Sequence, residues 1–522
     1  MVAEELLRGL EGLGLKIREA LYERQGFWFD IHCPRDRIVE VAEAFDEKGY
    51  WIEDVLCVDW RERLELLYHF NHWEDPRRLS VRVQVDPADP EVPSICKVFP
   101  GAGWHEREIH EFFGVRFKGH PNLAYLFLHD EIDFYPLRKD RVPIPEEDKR
   151  LLTSMDFSPE EEDAFWINMG PQHPSTHGVL RLILKMRGEY IERAEPVLGY
   201  MHRMQEKMAE VRTYAQYYPN TARLDYVGPL AFSQCFVGAM ERLCGLEVPE
   251  RAQVIRTITL ELNRIASHLL WLGTFLLDLG ATTPYFFAFD DREQILDLME
   301  GLTGARLTFS FFRIGGLYED LNDGFLEGVA RFIERMKKRF QIYDDLVTGN
   351  IIFVKRTKDV GVIPREVARR YGATGPTLRG SGVAYDVRRS EPYAAYSDFP
   401  PEVVVRQEGD SYARYLVRLE EIKRSLMVLE QAIERVPEGP FRLQKTPKKP
   451  VPGEVYFATE SPRGQVGIYI VSDGTDKPYR LKWRSPSFSN LAAFTEVVKG
   501  QLIADAVATL GSLDLVIPEM DR

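Results

Sequence analysis

The sequence predicts an α+β protein in two unequal parts: a small mixed α/β segment at the N-terminus and a larger, mainly helical segment after it. Three observations carry this. Within the first 140 residues, strand-like runs (Leu64–Phe70, Leu79–Val85) stand beside stretches of helical periodicity. From about residue 200 onward, apolar residues recur at helical spacing over stretch after stretch. Between the parts, residues 141–163 turn charged, lose periodicity and carry Pro143, Pro145 and Pro159. A chain of 522 residues also exceeds what one compact core serves. The expected organisation is therefore 1–140, a linker at 141–163, and 164–522.

Taken in order, residues 4–24 place Leu6, Leu7, Leu10, Leu13, Ile17 and Leu21 on a helical period, interrupted by three glycines. Val39–Phe45 predicts a second helix. After the linker, Leu180–Arg187 reads as a strand. Helices are expected over 203–217, 231–244, 250–279, 291–303, 323–346, 410–435 and 488–509. Residues 371–396, rich in Gly, Arg and Tyr, and 437–453, rich in Pro and Lys, read as irregular. No internal repeat is visible.

Composition excludes several classes. Lys and Arg total 67 against 81 Asp and Glu, and a net charge of −14 disfavours nucleic-acid binding. The five cysteines (33, 57, 96, 235, 244) include no C-x-x-C pair, so a locally built zinc or Fe–S site is not expected, and the sparse, odd set fits reduced thiols. The acidic start lacks the layout of a signal peptide. The most apolar stretch, 269–289, contains Asp278 and Pro284 and reads as a buried helix running into a loop. The chain is expected to be soluble, or peripheral through partners. Neither a Walker A loop nor a strand-borne G-x-G-x-x-G is present.

Chemistry concentrates in two places. Gly170-Pro-Gln-His173-Pro-Ser-Thr-His177-Gly178 holds two of eleven histidines beside prolines and glycines that impose an irregular backbone. Metal binding is one reading. The absence of an adjacent acid or thiol and the presence of Pro174 weigh against it, and turn-forming histidines bonded to backbone are the other. In 250–279, Glu261, Arg264, His268, Trp271, Phe275 and Asp278 step by 3 or 4 and share one helix face. On an otherwise apolar helix such a stripe faces a cavity or a buried interface. A packing salt bridge between Glu261 and Arg264 is an equal alternative. Asp278 has no cation near it in sequence and needs a partner from elsewhere in the fold. Arg379 and Arg388-Arg389 admit either an anion site or a loop cross-linked to acids.

These stretches carry a resemblance to a known family. Residues from about 164 to 522 closely resemble the D-type subunit of bacterial respiratory complex I, a relative of the nickel–iron hydrogenase large subunit. The landmarks are Gly170–Leu184, Tyr200–Glu206, Arg223–Tyr226, Leu260–Arg292, Gly375–Tyr396 and the closing Glu519-Met-Asp-Arg522, in the family's order. Residues 1–140 resemble the C-type subunit through Trp104-His-Glu-Arg-Glu108, Phe112-Phe-Gly114 and Pro136–Asp140. Together they resemble a fused C/D subunit. Where hydrogenases carry two cysteine pairs, the sequence is read as Tyr200–Met204 and Ser472–Asp476, without thiolates, so a nickel–iron site is not expected.

The resemblance implies the quinone-reducing module of a proton-pumping NADH–quinone oxidoreductase, on the cytoplasmic side of the bacterial inner membrane. His177, Tyr226 and Asp278 match the family's quinone-site residues: His177 and Tyr226 on the headgroup, Asp278 pairing with the histidine. Arg203 matches a family arginine near a 4Fe–4S cluster held by a B-type partner. Arg264 and His268 fall in the same neighbourhood by the stripe argument, either on the cluster side or one layer behind it, and His173 joins them as a cofactor-binding candidate. I-type, G-type and membrane H-type subunits are the other implied partners. Quinone is the implied substrate, with no metal on this chain. Met204 and Ala222 stand where the family often has Gly and Asp, and His105 where Tyr is usual. A related enzyme fed by ferredoxin or a reduced deazaflavin, and a scaffold that has lost quinone chemistry, are the competing readings.

Overall fold

The computed structural model describes residues 2–129, 131–146, 164–172, 176 and 178–522. The N-terminal segment runs α1 (Val2–Gly12), β1 (Lys16–Glu19), α2 (Tyr22–Gln25), β2 (Phe29–His32), α3 (Ile38–Glu47), β3 (Trp51–Asp59), β4 (Leu64–Asn71), β5 (Leu79–Val85), β6 (Glu91–Pro93), α4 (Ala102–Phe113) and β7 (Arg116–Lys118). The first five strands form one sheet in the order β1-β2-β5-β4-β3, with β2 and β5 parallel. The two expected strands are β4 and β5 almost to the residue. The helix expected over 4–24 is not continuous. It ends at Gly12, Gly14 adopts φ 74°, and the chain turns into β1.

The sequence reading missed β3. Its Glu53 and Asp54 interrupt the apolar alternation, and the register shifts between Ile52 and Asp54. Every residue of β3 and β4 is buried. A sheet covered on both faces loses the in–out signature of a half-exposed strand.

The C-terminal segment opens with a meander of β8 (Ala164–Met169), β9 (Arg181–Arg187) and β10 (Tyr190–Val197). Helices α5 (Gln205–Val211) and α6 (Tyr214–Thr221) replace the single helix expected over 203–217. Thr213 caps α6, its hydroxyl accepting from the Gln216 N–H while the Gln216 side chain accepts from the Thr213 N–H. Then come α7 (Pro229–Cys244), α8 (Glu250–Asp278) and α9 (Thr282–Thr303), the two-residue strands β11 (Phe312–Arg313) and β12 (Gly316–Leu317), and α10 (Phe325–Tyr343). Four short helices follow: α11 (Ile351–Thr357), α12 (Arg365–Tyr371), α13 (Gly375–Arg379) and α14 (Val387–Ser390). The chain closes with α15 (Ser411–Glu434), β13 (Gly453–Ser461), β14 (Gly464–Ser472), β15 (Arg480–Arg484), α16 (Pro486–Val497), α17 (Ile503–Ser512) and α18 (Ile517–Asp521).

Helix α8 is the axis of this segment, packed by α7, α9, α15 and α17. Its apolar continuation toward residue 289 breaks at Asp278. Among the described residues no helix is long and apolar enough to cross a membrane.

The two segments meet through buried polar contacts. Arg78 is fully buried and bridges Glu53 (2.8 Å) to Glu391 (2.7 Å). Arg480 Nε donates to the Cys57 carbonyl (3.0 Å), and Arg369 Nη1 to the Tyr50 carbonyl (2.7 Å). Of the expected linker, 141–146 belongs structurally to the N-terminal segment, where Pro143 bridges Phe134 and Ile144 is buried. Residues 147–163 lie outside the described residues.

Candidate functional site

The polar stripe of α8 does share one face, and its partners come from far along the chain. Glu261 receives Arg388 Nη1 (3.1 Å) and the Tyr396 hydroxyl (2.5 Å), with Arg264 Nε at 3.5 Å. Arg264 directs its other nitrogens to the carbonyls of Ser461 (3.1 Å) and Glu460 (2.6 Å). His268 Nε2 meets Glu421 (3.1 Å), which also takes Arg379 Nε (2.7 Å). Burial pushes the His268 pKa down against the pull of Glu421, so the ring is neutral. Arg264 and His268 are 2% and 0% exposed. Both are buried within an ion network among the described residues, as expected of residues one layer behind the site. Arg379 and Arg388 likewise serve as cross-links to acids, which decides that alternative against an anion site.

Tyr226 sits in the turn between α6 and α7, 37% exposed. Directly behind it Asp225 is fully buried. Its Oδ1 accepts the N–H groups of Val227 (3.0 Å) and Gly228 (2.8 Å), and its Oδ2 accepts Arg463 Nη1 (2.8 Å). Arg463 comes from the tight β13–β14 turn and also reaches Ser267 (3.2 Å) on α8 and Asp514 (3.6 Å). Burial raises the Tyr226 pKa, Arg463 opposing, so the phenol keeps its proton at neutral pH. Among the described residues its hydroxyl has no hydrogen-bond partner, which leaves it available to a ligand.

Asp278 is half-buried at the last residue of α8. Its Oδ2 lies 3.8 Å from where a Cβ on Gly511 would stand, and the Gly511 carbonyl takes Trp271 Nε1 (2.7 Å). Residues 511–514 thus run from beside Asp278 to Asp514 beside Arg463, tying the Asp278 end of α8 to the base of Tyr226. His173 and His177 lie outside the described residues. The residue after His177 is placed: a Cβ on Gly178 would stand 2.7 Å from the Ile517 side chain of α18, so only glycine permits this approach.

Arg203 is exposed, and its backbone N–H reaches the carbonyl of the terminal Arg522 (3.4 Å). Met201 N–H and His202 Nδ1 bond Asp521 (2.7 and 2.5 Å), and the His202 ring stacks on Phe112 and Phe127 of the N-terminal segment. A cavity of about 10 Å³, enough for one water, lies among Glu108, His202, Glu206, Asp521 and Arg522. Tyr200–Met204 therefore packs on the closing residues. Ser472–Asp476, read as its counterpart, instead meets α6, the Tyr214 N–H donating to the Asp476 carbonyl (3.1 Å). Met204 holds φ 51°, which accounts for glycine being common there in the family the sequence resembles.

Among the described residues one trio has metal-ligand chemistry: donor atoms of Cys96, Glu106 and His120 lie within 4.8 Å of one another. Both His120 ring nitrogens are already bonded to backbone, Nε2 to the Gly103 carbonyl (3.0 Å) and Nδ1 to the Asn122 N–H (3.1 Å). Glu106 holds the Ile95 N–H and the Ser94 hydroxyl. The trio is a satisfied hydrogen-bond network. What the sequence reading missed is Arg463 and Asp514. A lone arginine in a Pro-Arg-Gly turn carries no local signal.

The chain matches the family models for the respiratory-chain NADH dehydrogenase 30 Kd subunit over 31–147 and the 49 Kd subunit over 278–452 and 441–522. Aquifex aeolicus has two C/D-type subunits of NADH-quinone oxidoreductase that are similar to it. The second of them is 41% identical over 533 residues, covering 90% of this chain and 91% of that protein. The first is 38% identical, covering 89% and 86%. The D-type NADH-quinone oxidoreductase subunit of Desulfotalea psychrophila is 56% identical over 363 residues, 69% of this chain and 98% of its own length.

Proposed function

The chain belongs to the family of fused C/D subunits of NADH-quinone oxidoreductase (respiratory complex I), and from that premise we propose that it forms much of the quinone-reduction pocket. In this reading the 4Fe–4S cluster that donates electrons is carried by a B-type partner. I-type and G-type subunits complete the peripheral arm, and an H-type subunit holds it to the cytoplasmic face of the membrane. The observation that carries the reading is Tyr226: a protonated phenol without a partner among the described residues, braced by Asp225 and Arg463, with 511–514 linking its base to Asp278.

Reduction of a quinone places negative charge on two oxygens at opposite ends of a ring. Two donors at fixed separation stabilise that charge and deliver two protons. Tyr226 supplies one and His177 the other, with the Asp278 carboxylate orienting the imidazole and favouring its charged form. Arg203, exposed on the face built by 200–204 and the C-terminus, meets the partner's cluster, where a cation raises its potential. His173 lies four residues before His177 in the sequence and is read as a further quinone-binding residue. Arg264 and His268 act from within the fold, holding α8 against the β13 end and α15.

The test compares quinone reduction with donor oxidation by a water-soluble acceptor, in membranes carrying His177→Ala or Tyr226→Phe. Loss of the first activity with the second intact supports the reading. Normal quinone turnover in Tyr226→Phe refutes it.

A further inference from the structure

The chain from Gly511, at the end of α17, to Ile517, at the start of α18, touches the site at three places. The Gly511 backbone lies hard against α8: a Cβ there would stand 3.0 Å from Phe275 Cδ2 and 3.8 Å from Asp278 Oδ2. Asp514 Oδ1 is 3.6 Å from Arg463, the guanidinium that holds Asp225 (2.8 Å) behind Tyr226. Ile517 packs against Gly178, the residue after His177. Side chains from two other helices hold this segment by its backbone. A helix leaves its last carbonyls without partners of its own, and here Trp271 Nε1 of α8 donates to the Gly511 carbonyl (2.7 Å). Arg418 of α15 donates from Nη1 to the Ser512 carbonyl (2.9 Å) and from Nη2 to the Leu513 carbonyl (3.2 Å). Arg414, one turn earlier, donates from Nε to the Ser512 hydroxyl (2.8 Å). The Arg418 guanidinium also sits over the Trp271 ring, 4.4 Å from its centre. Asp514, next in line, holds φ 57°, a left-handed backbone that a non-glycine residue keeps only where its surroundings enforce it. Arg418 is fully buried, and among the described residues it makes no hydrogen bond to a carboxylate, Asp514 Oδ2 lying 4.0 Å from its Nε. Burying a guanidinium is costly unless its donors are used, and here they go to the backbone of this one segment.

We propose that Arg418 is a positioning residue for quinone reduction: with Trp271 it sets where residues 511–517 lie, and so the spacing of Tyr226, His177 and Asp278 around the substrate. It touches none of the reacting atoms. The proposal rests on the reading of Tyr226 and His177 as the two donors. Two donors serve one quinone only at the separation of its two oxygens, and a misplacement of about 1 Å costs up to ~100-fold in rate. The planar fork of a guanidinium suits this task, because nitrogens in fixed relation grip two successive carbonyls and hold the segment in register against α15. A lysine ammonium, a point charge on a flexible stem, lacks that fork. Burial pulls the Arg418 pKa down to about 10, and the side chain is still a cation at neutral pH.

The experiment uses membranes holding the whole complex with Arg418→Lys, Trp271→Phe and Tyr226→Phe. Quinone kcat and KM are measured beside donor oxidation by a water-soluble acceptor. Arg418→Lys keeps the charge and loses the fork, so quinone kcat should fall about tenfold to a hundredfold. KM and the soluble-acceptor rate should stay unchanged, the split expected when only contacts made in the transition state are lost. Trp271→Phe keeps an aromatic ring beneath Arg418 and deletes one hydrogen bond, so it should show the same split with a loss of about fivefold. A parental quinone kcat in Arg418→Lys overturns the proposal. So does a raised KM at parental kcat, which marks a cavity wall, and so does an equal fall in both activities, which marks a structural residue. If Arg418→Lys fails to assemble, Trp271→Phe decides by the same outcomes. Normal turnover in Tyr226→Phe instead brings down the quinone-site reading, and this proposal with it.

Discussion

Replacing Arg463 with methionine removes the cation shared by Asp225 and Asp514 while keeping most of the side-chain volume. Breaking a buried pair in this way costs about 3–5 kcal/mol, because it strands a charge. A second route reaches the same size. If Asp225 escapes by taking up a proton, an acid with an ordinary pKa near ~3.9 would need about 4 kcal/mol to be neutralised at pH 7, and burial, which raises Asp225, makes this an upper limit. That second figure falls to ~1.5 kcal/mol at pH 5, since each unit of pH is worth about 1.4 kcal/mol. The destabilisation should therefore be large at pH 7 and shrink by about 2–3 kcal/mol at pH 5. The assay is the unfolding midpoint of the full chain at the two pH values, for Arg463→Met, Asp225→Asn and the double variant. The double variant should recover much of the loss, because the buried Asp225 charge is gone and Asp514 still has Arg418 at 4.0 Å. An equal loss at both pH values, or no recovery, refutes the account of Arg463 as the counter-charge that braces the Tyr226 turn.

Met204 pays for its left-handed backbone, so Met204→Gly should lie within about 1 kcal/mol of the parent, while Met204→Val, β-branched at positive φ, should cost about 1–2 kcal/mol more; thermal melts of the two variants compare them directly. Burial alone would raise Asp386, but Arg388 and Arg379 outweigh it and hold the carboxyl at about 2. A depressed acid stabilises the fold above its ordinary pKa and loses that contribution as pH falls from ~4 toward ~2. Asp386→Asn should flatten acid unfolding across that window, and an unchanged acid limb would contradict the network drawn around it. Proteolysis within 147–163 should leave the two segments bound together, because Arg78, Arg369, Arg480 and Arg522 hold the joint without it. Separation of the fragments on a sizing column would show the tether to be essential.

Periodicity is a local property, and what is local was legible. The strands β4 and β5, the helix over 250–279 and the shared face of Glu261, Arg264, His268 and Asp278 all follow from spacing within one element. The motifs at 223–226 and 519–522 were found only as landmarks of the family resemblance, since neither carries a strong signal of its own. The hairpin β13–β14 escaped because both its faces are buried, so its residues show no alternation for a period-two reading to find.

The sequence by itself determined that the chain has a mixed N-terminal part and a helical C-terminal part, that Asp278 needs a partner from elsewhere in the fold, and that α8 bears a polar stripe; Tyr226 stood out only through the family resemblance. Only the tertiary structure decided who answers that stripe: Arg388, Tyr396 and Glu421, more than 120 residues away in the chain. That choice buried Arg264 and His268 in an ion network and set Arg463 behind Tyr226. The physical reason is that a buried charge is stable only beside its counter-charge. Helical spacing shows where such a charge lies on its own element, but which distant segment brings the partner is settled when the chain packs.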